Sequence, residues 1–259
     1  MESRSMRKIL VIGIGAGNPE YMTIQAVNAL NATEVMFLVD KGEAKSELRA
    51  LREEICERYI EDQSGYVVVE IPEPLRDGGA AGYEGAVEDW HERRAILFER
   101  AIAEHLPDDG CGAFLVWGDP AMYDSTLRVI ERTLARGFVD FDYEVIPGIT
   151  SVQALAAQHR LPLNRIGEPI HITTGRRLAG GFPIGLDSAV VMLDAGLVCK
   201  GFDDPALHIY WGAYLGTPHQ VLISGRLIEV AADIDREKQE LKQRYGWIMD
   251  TYLLRRERR

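Results

Sequence analysis

Three glycines stand directly after an apolar run near the start of the chain and could form a ligand-binding loop. The run is Lys8–Gly13 (KILVIG), and the loop reads Gly-Ile-Gly-Ala-Gly up to Gly17. Open α/β sheets bind ligands at the carboxyl edge of their strands, where glycine lets the backbone come close. Dinucleotide binding would need Gly or Ala at position 18, where this chain has Asn18. The spacing therefore predicts a ligand near the first strand without identifying it.

A second glycine loop follows another apolar run and carries a carboxylate. The run is 113–117 (AFLVW), and Gly118, Asp119 and Pro120 come next. If both runs are parallel strands, both loops lie at the same edge of one sheet, so Asp119 is a candidate for ligand binding. The alternative for the triplet alone is a plain β-turn in which Asp119 caps the next helix.

The elements that must position these loops alternate in a regular way. Short apolar runs alternate with longer amphipathic stretches, which is typical of βαβ units with helices on the faces of a parallel sheet. We expect Asn18 to cap the first helix with Pro19 at its first position, and 46–59 to form a charged surface helix. Strands are predicted at 8–13, 35–39, 66–71, 113–117 and 143–146 in the first half and near 170–173, 189–193, 207–211, 221–224 and 247–254 in the second.

The Pro147-Gly148 pair interrupts this pattern and predicts a domain boundary. Residues 1–146 are expected to form an α/β domain with a parallel sheet, and residues 147–259 an α/β domain with a mixed sheet. The first half carries 15 basic and 28 acidic side chains, whereas the second carries 14 and 12. An anionic ligand would therefore be held mainly by the second half, although the difference is also explained by solvated acidic helix faces in the first.

Four ordered segments resemble the tetrapyrrole methylase family, whose members use S-adenosylmethionine to methylate uroporphyrinogen-derived macrocycles. The resemblance spans nearly the whole chain. Ala16 stands where the family usually has proline, and Asn18 where it usually has aspartate. The segments are GIGAGNPEYMT (13–23), WGDPAMYDS (117–125), IPGITSVQALAA (146–157) and WGAYLGTPHQVLISGRL (211–227).

The resemblance implies two α/β domains with a cofactor cleft between them, a homodimer, and S-adenosylmethionine as the cofactor. By motif position, Gly118, Asp119 and Tyr123 would hold the methionine part and the ribose, and Met192 and Ala213 would enclose the adenine. Ala16 lies in the first loop, and Thr150 and Ser151 would line the cleft from the linker side. Without the resemblance, Met192 would be interpreted as an ordinary core residue of a strand.

Two further sets of residues could act on a tetrapyrrole substrate. For a step that activates water, the general-base candidates are Asp40, Asp119 and His91, each near a predicted loop or cleft face; His91 is also explained as a helix-surface residue. Such macrocycles carry many carboxylates, which paired guanidinium groups recognise in a bidentate manner. We therefore expect three arginines of the second half to bind them: Arg165, Arg176 and Arg177.

Composition excludes several other classes of protein. The net charge of −11 disfavours a nucleic-acid binder, and with it an RNA ribose methylase. Three widely spaced cysteines and six histidines without metal-ligand spacing predict neither a disulfide framework nor a metal site, and they fit a cytoplasmic protein. Polar residues within the uncharged stretch 205–225 argue against a membrane span. A tetrapyrrole-binding carrier without catalysis stays open as an alternative.

Overall fold

A computed structural model describes residues 6–40, 46–74 and 82–257. Contacts divide the chain into two compact units. Unit 1 comprises Met1–Gly15 and Pro19–Ile149, and unit 2 comprises Ala16–Asn18 and Thr150–Arg259. Each unit is a five-stranded sheet with helices packed against it, which confirms the predicted α/β class.

The sheet of unit 1 is parallel throughout, as predicted. Its order is β3-β2-β4-β1-β5, so the strands that precede the two glycine loops, β4 and β1, are neighbours. The strands are β1 (Arg7–Gly13), β2 (Val35–Asp40), β3 (Val67–Pro72), β4 (Cys111–Val116) and β5 (Phe141–Ile146). The helices are α1 (Ile24–Asn31), α2 (Ser46–Tyr59), α3 (Gly82–His105) and α4 (Thr126–Arg136).

The central strands of unit 1 are apolar because both faces of the sheet are covered. Residues of β1 alternate between two clusters: Ile9 and Val11 pack with Phe98 of α3, whereas Leu10 and Ile12 pack with Leu30 of α1. In the described part of the chain, no helix has the length and apolar character needed to span a bilayer.

The first helix begins later than the sequence suggested. Pro19–Tyr21 forms a single 3₁₀ turn, and α1 starts at Ile24. Thr23 is the N-cap, because its hydroxyl accepts a hydrogen bond from the amide of Ala26 at 3.0 Å. The expectation that Asn18 caps this helix is therefore wrong.

The sheet of unit 2 is mixed, in the order β6-β7-β10-β8-β9. Only β6 and β7 pair in parallel, and the other three pairings are antiparallel. The strands are β6 (His171–Thr174), β7 (Ser188–Met192), β8 (Leu207–Ala213), β9 (Val221–Arg226) and β10 (Asp250–Arg256). The helices are α5 (Ser151–Gln158), α6 (Gly175–Leu178) and α7 (Leu227–Tyr245).

A charged pair lies inside the core of unit 2. The Lys238 ammonium on α7 contacts Oδ2 of Asp250 and the carbonyl oxygen of Asp194, both at 2.5 Å. Trp211 donates its indole N–H to the same Asp250 oxygen at 2.8 Å, and Tyr252 donates its hydroxyl to Asp194 at 2.5 Å. Burial raises the pKa of Asp250, and the nearby Lys238 ammonium opposes that rise. These hydrogen bonds satisfy the buried charges, so we assign the cluster a structural role.

Candidate functional site

The carboxyl edge of the unit 1 sheet is built from three glycines in direct contact. Gly13 ends β1, Gly118 follows β4, and Gly148 follows β5. A Cβ atom on Gly13 would lie 2.6 Å from the Gly148 nitrogen, and one on Gly148 would lie 2.1 Å from the Gly118 carbonyl oxygen. No side chain fits at this junction, so the three strand ends present bare backbone, as a ligand that must approach a sheet edge requires.

The two glycine loops are also hydrogen-bonded to each other. Gly15 and Gly118 form an isolated antiparallel bridge, in which the Gly118 amide donates to the Gly15 carbonyl at 2.9 Å and the reverse bond measures 3.2 Å. Gly15 adopts φ +79° and Gly118 φ +70°, conformations that favour glycine. The sequence placed both loops at one edge of one sheet, and the structure brings them into contact.

Asp119 joins the loop after β4 to the loop after β5. Its Oδ2 accepts a hydrogen bond from the Gly148 amide at 2.8 Å, and its Oδ1 accepts one from the Ala121 amide at 2.8 Å. Both carboxylate oxygens therefore accept backbone amides, which makes Asp119 a residue that positions the two loops at the carboxyl edge of the sheet. Of the predicted alternative, the β-turn is present, because the Met122 amide donates to the Asp119 carbonyl oxygen at 3.1 Å. The helix cap is wrong, because α4 begins only at Thr126.

Tyr123 stands in the same loop in a strained conformation. Its φ is +54°, and its side chain is 45% exposed. A positive φ costs a bulky residue about 1–3 kcal/mol, and such residues cluster at binding sites. The observation supports the candidate role of Tyr123.

The other two general-base candidates have different surroundings. The backbone of Asp40 ends β2, but its side chain lies outside the described residues. His91 is buried on α3 with 5% exposure, so the interpretation of it as a helix-surface residue is wrong. Its ring lies 5.2 Å from that of Trp90. Burial lowers the pKa of His91, and the charges of Arg132 and Arg94 lower it further, which favours the neutral imidazole.

In unit 2, Met192 and Ala213 end strands β7 and β8 on either side of β10. Met192 pairs with Thr251, which in turn pairs with Gly212, so the side chain of Met192 shares a face with Gly212. Ala213 points to the opposite face, where it is fully buried in the core beneath α7. The two residues reach the same end of the sheet, but Ala213 offers only its backbone there.

Residues in the left-handed conformation mark the same strand ends. Leu193 follows β7 with φ +53°, and Tyr214 follows β8 with φ +48°. With Tyr123 they make up three of the five non-glycine residues of positive φ in the described chain. Leu193 is 66% exposed and directly follows Met192, so it is a further candidate contact. No sequence signal pointed to it, because leucine rarely adopts this conformation.

The remaining predicted cofactor contacts lie in or beside unit 2. Thr150 caps α5 in a reciprocal arrangement: its hydroxyl accepts from the Gln153 amide at 3.4 Å, while its own amide donates to the Gln153 side chain at 2.7 Å. Ser151 is the first residue of that helix and is half-buried. Ala16 is 1% exposed. The adjacent Gly17 has φ +105°, and a Cβ there would lie 2.4 Å from the Leu215 carbonyl oxygen.

The three arginines proposed for carboxylate binding differ in their surroundings. Arg165 lies 3.0 Å from Asp187 through Nε and donates from Nη2 to the Arg256 carbonyl oxygen at 2.9 Å, so it already has an internal role. Arg176 and Arg177 lie side by side on α6 and are exposed. The last two are therefore the better placed to meet a ligand from solution.

The chain is similar to known proteins over nearly its whole length. The sequence model of the family described as Tetrapyrrole (Corrin/Porphyrin) Methylases matches residues 8–231. Precorrin-6A synthase [deacetylating] of Sinorhizobium sp is 50% identical over 256 residues, which cover 99% of this chain and 98% of that protein. Precorrin-2 C(20)-methyltransferase of Sinorhizobium sp is 29% identical over 68% of this chain and 67% of that protein.

Solved structures agree with these sequence matches. The crystal structure of a cobalamin synthesis related protein (CobF) from Corynebacterium diphtheriae superposes with a TM-score of 0.84 at 43% identity, over 97% of this chain and 99% of that one. Uroporphyrin-III C-methyl transferase from Thermus thermophilus, complexed with S-adenyl homocysteine, gives a TM-score of 0.59 at 21% identity, over 95% and 96%. The second likeness supports the fold alone.

Proposed function

The chain belongs to the tetrapyrrole (corrin/porphyrin) methylase family, and on that premise we propose that it methylates carbon 1 of precorrin-5 with S-adenosylmethionine. The acetyl group at that carbon leaves as acetate, and the product is precorrin-6A. The observation that carries this proposal is the 50% identity to a precorrin-6A synthase [deacetylating] over essentially the full length of both chains. The activity belongs to cobalamin biosynthesis.

The residues at the strand ends fit the cofactor. When bound, S-adenosylmethionine supplies a methyl group already activated on a sulfonium. We propose that Gly118, Asp119 and Tyr123 hold its methionine part and ribose, and that Ala16, Thr150 and Ser151 also contact it. The adenine would lie against the Met192 side chain and the Ala213 backbone. The glycine junction of unit 1, which no side chain fills, supports this assignment.

The protein contributes mainly orientation to the methyl transfer. Holding a nucleophilic carbon in line with the methyl group at ~3–3.5 Å can supply about 7–11 kcal/mol of the barrier. Loss of the acetyl group needs water to add to its carbonyl carbon. The bond from that carbon to carbon 1 then breaks, its electron pair passes into the conjugated macrocycle, and carbon 1 attacks the methyl group. Asp40 and His91 are the proposed bases for this water; Asp119, the third candidate from the sequence, instead uses both carboxylate oxygens to hold the Gly148 and Ala121 amides.

The proposed activity is tested by incubating the purified protein with precorrin-5 and methyl-labelled S-adenosylmethionine. We expect transfer of the label to the macrocycle and release of one equivalent of acetate. Label transfer without acetate would indicate another C-methyltransferase of the corrin pathway. If neither product forms while the macrocycle still binds, the chain is a carrier and the proposal fails.

Asp119→Asn should weaken binding of S-adenosylhomocysteine about tenfold or more. Asparagine keeps one acceptor oxygen, so the Gly148 or the Ala121 amide faces an N–H donor instead of a carboxylate oxygen. Calorimetric titration measures the change. Asp142→Asn is the matched control, because Asp142 is exposed on β5 and, among the described residues, its carboxylate accepts from the adjacent Tyr143 amide alone. Equal affinities of the two variants would contradict the positioning role of Asp119.

The double substitution Arg176→Ala/Arg177→Ala should raise the dissociation constant for the tetrapyrrole about tenfold and leave that for S-adenosylhomocysteine unchanged. The reason is the loss of two guanidinium groups that can bind carboxylates. Arg226→Ala/Arg236→Ala removes the same charge from exposed positions of unit 2 and serves as the control. Unchanged tetrapyrrole binding in the first variant would refute the assignment.

We also propose that the protein acts in the cytoplasm as a homodimer. Cys56, Cys111 and Cys199 are all free thiols, which suits a reducing compartment. Burial raises the pKa of Cys56 to about 11 and that of Cys199 to about 12, so both stay protonated and unreactive at neutral pH. Analytical ultracentrifugation tests the dimer, and a monomer at micromolar concentration would exclude it.

A further inference from the structure

A small cavity in unit 1 is lined by two arginines and lies beside the loop that carries Asp119. Its volume is about 30 Å³, and its lining includes Val39 and Trp117 at the ends of β2 and β4. A cavity of that size holds about two water molecules or one small polar group. We call it the arginine cavity, defined by Arg52, Arg94, Phe37, Phe114, Trp117 and Asp124.

Arg52 has no internal explanation among the described residues. It lies on α2, which was expected to be a surface helix, but it is only 9% exposed. Its Nε is buried and has no hydrogen-bond partner in the described chain. Burial lowers the pKa of Arg52, and the negative charge of Asp124 opposes that fall. A buried guanidinium N–H that no acceptor meets costs stability, so the buried Nε of Arg52 is explained if a ligand supplies an acceptor.

The other polar groups around the cavity are partly committed. Arg94 is 4% exposed and donates from Nη1 to the Ser125 hydroxyl at 2.6 Å, and its Nε lies 3.4 Å from a Glu73 oxygen. Asp124 accepts from the Thr126 amide at 2.6 Å. The indole N–H of Trp117 is buried and, like Arg52 Nε, has no partner among the described residues.

We propose that the arginine cavity binds a carboxylate group, held by the Arg52 guanidinium and the Trp117 indole N–H. Nε of Arg52 and Nε1 of Trp117 have no hydrogen-bond partner among the described residues, and both are donors. A ligand that pairs with them must therefore present acceptor oxygens. Glu73 opposes Arg94, and Asp124 opposes both arginines, so the charges around the cavity are balanced and the case for an acceptor ligand rests on the donors of Arg52 and Trp117. A guanidinium matches a planar carboxylate in two parallel hydrogen bonds. Phe37 and Phe114 complete the lining and suit the methyl or methylene next to such a group.

Two sources of a carboxylate follow if the proposed function holds. One is an acetate or propionate side chain of the macrocycle, and the other is the acetate released from carbon 1. Both present the same chemistry to Arg52, so binding of free acetate is the first test and kinetics separate the two sources. The binding test needs no turnover, so it can succeed or fail independently of the proposed function.

Binding is measured by titrating the full chain into [1-¹³C]acetate and following the carboxyl resonance. We expect saturable broadening for the unsubstituted protein, at least tenfold weaker binding for Arg52→Met, and weaker binding for Trp117→Phe, which keeps an aromatic ring but loses the N–H donor. Arg49→Met is the matched control on the same helix, because Arg49 is 55% exposed and pairs at the surface with Glu53 and Glu70. It should bind acetate like the unsubstituted protein.

The melting temperature is a second measurement. If Arg52 had a purely structural role, its replacement would lower the melting temperature. Arg52→Met should keep or raise the melting temperature, because it removes a buried charge whose Nε has no hydrogen-bond partner in the described chain. A lower melting temperature with unchanged acetate binding would overturn the proposal, and so would water alone filling the cavity, seen as no acetate binding in any variant.

Kinetics then identify the source of the carboxylate. If a side chain of the substrate occupies the cavity, acetate inhibits competitively against the macrocycle, and Arg52→Met raises the KM for the macrocycle but not for S-adenosylmethionine. If the released acetate occupies it, Arg52→Met relieves inhibition by acetate and leaves both KM values unchanged. Acetate binding that depends on Arg52 but affects neither parameter would refute a role in this reaction.

Discussion

Gly148→Ala is expected to abolish measurable binding of S-adenosylhomocysteine. The added methyl carbon would lie 2.1 Å from the Gly118 carbonyl oxygen and within 2.9 Å of the Gly13 backbone. All of these atoms belong to strand ends within one sheet, so no flexible side chain can move aside. The loop after β5 must separate from the loop after β4, which breaks the hydrogen bond from the Gly148 amide to Asp119. Overpacking of this kind also costs about 1–3 kcal/mol of stability.

Calorimetric titration and thermal unfolding measure the two effects of Gly148→Ala. Gly201→Ala is the control, because a methyl group there would meet nothing among the described residues within 4 Å and the backbone φ is not positive. We expect its affinity and melting temperature to match those of the unsubstituted chain. If Gly148→Ala binds S-adenosylhomocysteine normally, the glycine junction is not part of the cofactor site.

Lys238→Ala is expected to produce the largest loss of stability, about 3–5 kcal/mol. Lys238 is 4% exposed, and its removal leaves Asp250 as a buried carboxylate whose only remaining hydrogen bond in the described chain comes from Trp211. It also leaves the Asp194 carbonyl oxygen without its ammonium donor. Urea unfolding followed by tryptophan fluorescence should show a large fall in the transition midpoint.

Lys200→Ala provides the comparison for the buried pair. Lys200 lies 3.0 Å from Asp235 with 48% of its side chain exposed, so its loss should cost less than about 1 kcal/mol. A double variant, Lys238→Met with Asp250→Leu, removes both charges and should recover much of the lost stability. Similar midpoints for Lys238→Ala and Lys200→Ala would show that the buried cluster does not stabilise unit 2.

The buried strands could be predicted because a strand is the one element that explains their short apolar runs. The apolar runs of β1 and β4 are buried on both faces, and such a run of five or six residues beside glycine forms a strand. The predicted start of α1 was wrong because Asn18-Pro19 and Thr23 both satisfy the local rules for a helix start. Geometry beyond the local sequence selected Thr23.

Burial of charged residues could not be read from local pattern. Arg52 and Lys238 stand four residues after the buried Leu48 and Ile234, so the helical period fits the inner face, whereas a charged residue type favours solvent. What buries each is packing against residues far along the chain, such as Phe114 and Trp117 around the cavity that Arg52 lines, and Asp194 beside Lys238. The candidate cofactor residues were located by motif, but the strained backbone of Leu193 and Tyr214 carries no sequence signature.

The assignment of Ala16–Asn18 to unit 2 has a consequence for the order in which the chain can mature on the ribosome. Gly17 packs against Leu215 and Thr217, which are made roughly 200 residues later. At about 5–20 residues per second, these contacts cannot form until about 10–40 s after Gly17 is synthesised. All five strands of the unit 1 sheet have been synthesised once Ile146 is made. The loop at Gly17 therefore lacks its contacts until the later residues have been synthesised. A stalled or truncated chain that ends before Leu215 would thus contain all five strands of the first sheet but lack the residues against which Gly17 packs.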